Sequence, residues 1–243
     1  MKMKIMVESD SMLIWYPQVK DLPIPQPKTE ILILDQKELD VLMNESVPDS
    51  VTKKVKALCD RIGYPCFLRT DLASGKHSWK KSCFVDKPRG LWKHIFEVVS
   101  FNLCADILGL DFKAFAVREF IPMDSRFTAF YGDMPVNPER RYFIKDGKVV
   151  CHHPYWIEEA MEDEPTSTPD WRSIAKEINT ETEEEIKLLT SYAQMVAKEF
   201  DGYWSVDFCK AKDGRWILID MATGVKSWHP KDCKMRNVEA RKT

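Results

Sequence analysis

The sequence predicts an α+β protein built as two lobes. Three observations carry this. Long helical stripes alternate with short apolar strands, the strands pair through Asp-Gly turns, and no repeat of solenoid length occurs. Residues 12–16 and 31–34 read as short strands. Between them lies Pro23-Ile24-Pro25-Gln26-Pro27, which must be extended or turn-like. Lys37 and Glu38 open a short helix around residues 39–43. The first clear helix covers 49–62, where Val51, Val55, Leu58, Cys59 and Ile62 keep one apolar stripe. Asp49 or Ser50 can cap it, and Gly63 ends it.

A strand follows over 64–69, then a helix over 90–108 with Leu91, Ile95, Val98, Val99, Asn102 and Ile107 near one face and Gly109 behind it. Residues 115–121 form an apolar strand ended by Pro122. Residues 127–150 read as antiparallel strands, with Asp146-Gly147 as the turn between 141–144 and 148–151. Residues 161–170 are an acidic loop containing Pro. A third helix over 181–200 opens on a Thr180-x-x-Glu183 capping box and carries Ile186, Leu189, Ala193, Val196 and Phe200 as its stripe. Strands 203–210 and 215–221, joined at Asp213-Gly214, close the pattern. The expected organisation is a short N-terminal segment (1–48), an N-terminal lobe (49–122) and a C-terminal lobe (123–243).

Composition narrows the function. Lys and Arg total 36 against 38 Asp and Glu, which argues against a charge-driven nucleic-acid coat and leaves room for a local basic groove. Eight Trp and a 44% hydrophobic share exclude a disordered chain. Nine Gly is about half the usual share of roughly 7%, which argues against a long glycine-rich loop. No run approaches the roughly 18 apolar residues of a membrane span, and the first fifteen residues lack a signal-peptide core. Seven scattered Cys contain no C-x-x-C, so neither zinc spacing nor thioredoxin-like chemistry is supported, and reduced thiols in a cytoplasm are expected. Cys59, Cys66, Cys104 and Cys209 sit in apolar context and read as core.

Four segments can carry chemistry. In the last hairpin, Asp207 and Asp220 sit among apolar residues on successive strands. A carboxylate there is costly unless paired or bound to a cation, and two on one side can hold Mg²⁺. The other reading is a pair of strand-end acids facing water. In FLRTDLASGKHSW a strand ends at Arg69, and a small loop with Ser74 and Gly75 leads to Lys76. Its backbone N–H groups and cations suit phosphate oxygens, although G-x-x-x-x-G-K-[ST] is absent. An ordinary exposed loop is the alternative. In Val117-Arg118-Glu119-Phe120-Ile121, adjacent charges face opposite sides, toward a cleft or in an internal ion pair. Glu139 and Arg141 share one strand face, facing either a phosphate site or solvent.

Taken in order, these segments resemble the ATP-grasp superfamily. In that family a strand cation and a loop Lys bind phosphates, a V-x-E-F/Y-I hinge binds adenine, an E-x-R strand follows, and two late acids hold Mg²⁺. The spelling FLRTDLASGKHSW with VREFIP looks most like a compact clade marked by an Arg and two Lys, found widely in bacteria and phages. The match covers about residues 60–230. The resemblance implies ATP and Mg²⁺ as cofactors. It assigns Arg69, Ser74, Gly75 and Lys76 to phosphates and Arg118, Glu119, Phe120 and Ile121 to adenine. Lys76, Glu139 and Arg141 would be catalytic, and Asp207 and Asp220 would hold the metal. Two departures stand out. The Asn usually found two residues after the second acid is Ala222, a lost metal ligand unless Thr223 or water replaces it. The customary leading domain is absent or reduced to residues 1–48.

Cys151-His152-His153 is a poor metal set, because adjacent His face opposite ways, and contact with substrate or ordinary hydrogen bonding is expected instead. Ser227, Trp228 and His229 either line the mouth of the same cleft or form a surface tail. The resemblance implies a ligase that activates a small-molecule or peptide carboxylate as an acyl phosphate for capture by an amine. Two alternatives remain. One is an ATP-binding module like the eukaryotic cell-division-cycle family of translation-initiation assembly factors. The other is an RNA-end ligase, hinted at by Lys76-His77-Ser78-Trp79-Lys80-Lys81. Protein or RNA substrates are thus possible, and no membrane partner is expected.

Overall fold

The computed structural model describes residues 9–106 and 112–236; Ile107 and Gly109 lie outside that range. The chain divides into two compact units. Unit 1 comprises residues 1–14, 27–121 and 128–134, and unit 2 comprises 15–26, 122–127 and 135–243.

Residues 12–16 are not a strand. They belong to helix α1 (Met12–Val19). The Ser11 hydroxyl accepts from the Leu13 N–H at 3.0 Å, which starts the helix, and Met12, Trp15 and Val19 make its buried stripe. Pro17 lies inside it and withholds one backbone donor. Strand β1 (Thr29–Ile33) precedes α2 (Gln36–Met43), whose Asp35 and Glu38 form a complete capping box. Helix α3 (Asp49–Ile62) starts after Pro48, which occupies the cap position with no side-chain bond, so neither Asp49 nor Ser50 caps it. Gly63 ends it at φ 97°.

Strands β2 (Cys66–Thr70), β3 (Phe84–Val85) and β4 (Ala114–Glu119), with helix α4 (Leu91–Asp106), complete the main body of unit 1. The sheet order is β1-β4-β2-β3, and the pairing is antiparallel throughout. Its two faces differ. Cys66, Leu68, Phe115 and Val117 join residues of α2, α3 and α4 in one core. The other face carries Phe67, Arg69, Ala116 and Arg118.

Short strands β5 (Phe127–Ala129) and β6 (Met134–Val136) come next. In unit 2, β7 (Glu139–Lys145) and β8 (Lys148–Pro154) form the hairpin read at Asp146-Gly147, both of which have positive φ (45° and 78°). Helix α5 (Trp171–Ile178) follows the acidic loop and buries Trp171, Ala175 and Ile178, an i, i+4, i+7 stripe absent from the sequence expectation. Helix α6 (Glu183–Ala197) is capped by Thr182, which accepts from the Glu185 N–H, and not by the expected Thr180 box. Thr180 instead donates its hydroxyl to the Lys176 carbonyl behind it. Strands β9 (Tyr203–Lys210) and β10 (Trp216–Thr223) complete an antiparallel sheet of order β10-β9-β7-β8.

One face of this sheet packs on α6. Tyr142 stacks edge-on against Phe208, and its hydroxyl donates to the Ile186 carbonyl. Arg140 is fully buried on the same side. It donates to the carbonyls of Ile178 and Thr180 and lies near Glu181 and Glu185, so it closes the end of α5. The opposite face carries the side chains considered next.

Candidate functional site

In unit 2 the strand registers align four polar side chains across the sheet. His153 on β8 stands opposite Arg141 on β7, Arg141 opposite Asp207 on β9, and Asp207 opposite Asp220 on β10. The last pairing depends on an irregularity. Leu218 pairs with Phe208, yet Asp220 pairs with the next residue, Asp207, so Ile219 is an extra residue in β10. In a regular strand Leu218 and Asp220 would share a face. The bulge leaves Leu218 on the α6 side and turns Asp220 to the side of Asp207.

Arg141 grips Asp207 with both ends of its fork: Nε donates to Oδ1 at 2.8 Å and Nη2 to Oδ2 at 2.7 Å. The pair is largely buried, with side-chain exposures of 15% and 8%. Burial works against the Arg141 charge, but the Asp207 carboxylate outweighs it and raises the guanidinium above its usual value. The Tyr155 ring lies 4.5 Å below the same guanidinium. Glu139, two residues earlier on β7, shares the Arg141 face and is 3% exposed. His153 is held below the ordinary imidazole value, mainly by burial, so it is neutral near pH 7.

The position expected to supply a further metal ligand is Ala222. It shares the Asp220 face, and Thr223 alternates to the other. Thr223 therefore does not replace the missing Asn. Beside Ala222 stands Ser205, whose hydroxyl meets that of Ser227 at 2.7 Å. The segment after β10 thus returns over the sheet. His229 is 8% exposed, stacks on Phe143 with ring centres 3.7 Å apart, and bonds the Tyr203 hydroxyl through Nε2 at 2.6 Å. Burial, then His153 and Arg141, push its pKa down to about 4. Trp228 is 42% exposed. His152 lies on the α6 side, stacked on Tyr142, so the two His do face opposite ways.

In unit 1 the expected phosphate loop is a compact turn. The Thr70 hydroxyl accepts from the Leu72 and Ala73 N–H groups and pairs with Asn102 Oδ1 at 2.7 Å. Gly75 has φ 61°, and its carbonyl accepts from the buried Ser82 hydroxyl. Ser74 is half-buried in the same turn, and Lys76 opens a short 3-10 helix (Lys76–Ser78). A tip formed by residues 128–134 closes on this helix. Phe130 stacks on His77 at 3.9 Å, the Gly132 N–H donates to the His77 carbonyl, and Lys80 pairs with Asp133. The approach is so close that a Cβ on Gly132 would lie 2.3 Å from that carbonyl oxygen.

Arg69 and Arg118 are both 4% exposed and lie on the sheet face away from the helices, each beside the other's cross-strand neighbour. Arg118 donates to the Thr29 hydroxyl at 3.2 Å, and Glu119 is exposed, accepting from the Lys28 N–H. Phe120 and Ile121 follow the end of β4. Phe120 joins Phe67, Trp79 and Phe84 in a half-buried aromatic group that the sequence reading missed. Its signal is spread over four segments, so no local pattern shows it.

The expected residues fall into two sets, one in each unit. Arg69, Ser74, Gly75, Lys76, Arg118, Glu119, Phe120 and Ile121 belong to unit 1, and Glu139, Arg141, Asp207 and Asp220 to unit 2. Among the thiols, Cys59, Cys66 and Cys209 are buried as expected, but Cys104 is exposed, because its place on α4 turns away from the core. Among the described residues no helix is long and apolar enough to cross a membrane.

An α+β chain whose ordered motifs run from a strand Arg and loop Lys to two late opposed acids has the character of an ATP-grasp protein. The chain belongs to the ATP-grasp domain family, R2K clade family 3, whose model matches residues 43–241. No curated protein matches it. Among solved structures it is similar to Cdc123 from Schizosaccharomyces pombe, at 14% identity and TM-score 0.56, covering 91% of this chain and 87% of that one. A C-terminally truncated form of the same protein gives 13% identity and TM-score 0.57 over the same shares. A RimK domain ATP-grasp protein from Sphaerobacter thermophilus is 14% identical over 90% of this chain and 60% of that one, at TM-score 0.49.

Proposed function

We propose that this protein is an ATP- and Mg²⁺-dependent ligase that joins a carboxylate to an amine. The observation that carries the reading is the row Arg141–Asp207–Asp220, brought onto one face by the extra residue Ile219. Two opposed carboxylates in a largely apolar sheet offer the hard oxygen ligands that Mg²⁺ prefers. The donor set fits, and a cation held there shares Asp207 with Arg141. Bound Mg²⁺ would supply charge neutralisation for the phosphates.

Arg69 and Lys76 would bind phosphate oxygens, with backbone N–H groups around Ser74 and Gly75. The 118–121 segment would take adenine through its backbone, beside the aromatic group of Phe67, Trp79, Phe84 and Phe120, which offers flat apolar surface to a base. Glu139 and Arg141 would orient the transferring phosphoryl group. The substrate carboxylate oxygen attacks the γ-phosphorus, ADP leaves, and the acyl phosphate forms. The amine then attacks the acyl carbon, and inorganic phosphate leaves as the amide forms. The protein's part is positioning and charge compensation.

The test is ATP binding by calorimetry together with ADP formation against pools of small-molecule and peptide carboxylates and amines. Lys76→Ala and Asp220→Ala should each abolish turnover, and Asp220→Ala should remove the Mg²⁺ dependence of ATP binding. Full turnover by either variant would overturn the assignment. Ala222 and the two-pronged hold of Arg141 on Asp207 favour a second reading, an ATP-binding module without turnover. Tight ATP·Mg²⁺ binding with no ADP formed against any pool supports that reading instead.

A further inference from the structure

A second group of ligand-type side chains lies one row along the sheet from the Arg141–Asp207–Asp220 face. Cys151 on β8 stands opposite Phe143, two residues from His153 and on the same side. His229 lies flat on Phe143, and its Nδ1 is 3.9 Å from Cys151 Sγ. The chain then turns. The Cys233 N–H donates to the Pro230 carbonyl at 3.1 Å, which brings Cys233 back toward the sheet. One ligand atom from each of Cys151, His229 and Cys233 lies within 4.8 Å of the other two. Two are half-buried and the imidazole is buried.

We propose that Cys151, His229 and Cys233 form a zinc site. Sulfur and imidazole donors select Zn²⁺ over the oxygen-seeking Mg²⁺ expected at the carboxylates. Tetrahedral bonds of about 2.3 Å to sulfur and 2.0 Å to nitrogen set ligand atoms roughly 3.5–3.8 Å apart. The group therefore needs only small side-chain adjustments to close on an ion. The outer shell is also in place. Nε2 of His229 bonds the Tyr203 hydroxyl at 2.6 Å, and donation from Nε2–H fixes the tautomer whose Nδ1 is free to ligate. A Cys151–Cys233 disulfide, the other chemistry open to two neighbouring thiols, would give His229 no such part. The two thiol protons pass to solvent as the thiolates bind. Three protein ligands leave a fourth position for water or a partner group. The consequence for the fold is a cross-link between β8 and the segment after β10, independent of nucleotide.

The experiment uses the full chain, reduced and stripped with a chelator, then titrated with Co²⁺ and with Zn²⁺ against a chromophoric chelator. One metal ion per chain and a thiolate-to-cobalt charge-transfer band are expected. Cys233→Ser, at a half-exposed position, should bind Zn²⁺ at least about 100-fold more weakly and, at saturating Co²⁺, lose about half of the band, the remainder coming from Cys151. Tyr203→Phe should weaken binding about 10–100-fold, the usual effect of losing an outer-shell partner. Far-UV circular dichroism of each variant confirms that it is folded. No stoichiometric metal uptake by the reduced wild-type chain overturns the proposal. So does retention of the full band and of wild-type Zn²⁺ affinity by folded Cys233→Ser, or air oxidation to a Cys151–Cys233 disulfide in a chain that takes up no metal when reduced.

Discussion

Removing the Asp207 carboxylate should destabilise unit 2 far more than a surface ion pair would. The magnitude follows from the geometry. Both guanidinium bonds to Asp207 are short, and both side chains are largely buried. Deleting one member of such a pair strands the other charge, at about 3–5 kcal/mol, whereas an exposed pair contributes about 0–1 kcal/mol. Asp207→Asn keeps one acceptor for Arg141, and the Tyr155 ring still faces the cation, so its cost falls near the lower bound. Asp207→Ala keeps neither oxygen and falls near the upper. Arg141→Ala strands the carboxylate at a similar cost. The double variant removes both charges, so its cost should be well below the sum of the singles, with a coupling energy of at least about 2 kcal/mol. The assay is urea unfolding followed by tryptophan fluorescence. Six of the eight Trp (15, 156, 171, 204, 216 and 228) belong to unit 2, so the signal reports mainly on that unit. Additive single costs, with coupling below about 0.5 kcal/mol, would refute the reasoning.

Gly132→Ala should destabilise the 128–134 tip by about 1–3 kcal/mol, the usual overpacking range, because its Cβ has no room beside the His77 carbonyl. Faster hydrogen exchange at the Gly132 and Ser78 amides checks this, and unchanged exchange counts against it. The His77 imidazole should titrate below its ordinary value, first because the stacked Phe130 ring keeps water from one face and then because of the Lys76 charge. The unfolded chain then binds more protons below about pH 6.5, so this contribution to stability is present above that pH and is lost as pH falls toward the folded value. In an NMR titration Lys76→Met should move the midpoint upward, and an unmoved midpoint would remove Lys76 from the account.

Much of this fold is written locally. Helix α3 repeats its buried residues at helical spacing, and the β9–β10 hairpin is marked by apolar runs around Asp213-Gly214, so both were legible. Helix α1 was not. Met12 to Tyr16 is an uninterrupted apolar run that reads equally as a buried strand, and Pro17 argues against a helix. The deciding signals were the Ser11 cap and the spacing of Met12, Trp15 and Val19. Helix α5 carried a readable stripe just after the acidic, Pro-containing loop of 161–170, and the sequence reading assigned it no element. The α6 boundary slipped because TETEEE offers two caps, and Thr180 is engaged by the preceding helix.

For the candidate site, residue types and chain order were legible, but which residues meet was only partly so. Alternation places Glu139 and Arg141 on one face. It does not reveal that Arg141 and Asp207 are a closed ion pair, nor that His153 continues the row, because registers between distant strands are fixed by the whole sheet. Nor does a search for C-x-x-C find three ligands of which two follow the last strand.

The extra residue in β10 makes the carboxylate pair a property of chain length as much as of side-chain identity. Counted from the Asp213-Gly214 turn in a regular ladder, the partner of Asp207 is Ile219, and Asp220 points to the α6 side. The extra residue and the position of the acid therefore compensate each other: exchanging Ile219 for another residue leaves the pairing intact, and without it the acid would follow Leu218 directly and meet Asp207 in a regular ladder. Insertions and deletions are usually sorted into tolerated loops and forbidden strands by what they do to stability. Here parity decides: deleting Ile219 still leaves the acid opposite Asp207, now in a regular ladder, whereas straightening the bulge with Ile219 kept turns the acid to the α6 side. A relative with a regular strand here would carry its acid one residue nearer the turn, and the two acids would align only across a one-residue gap.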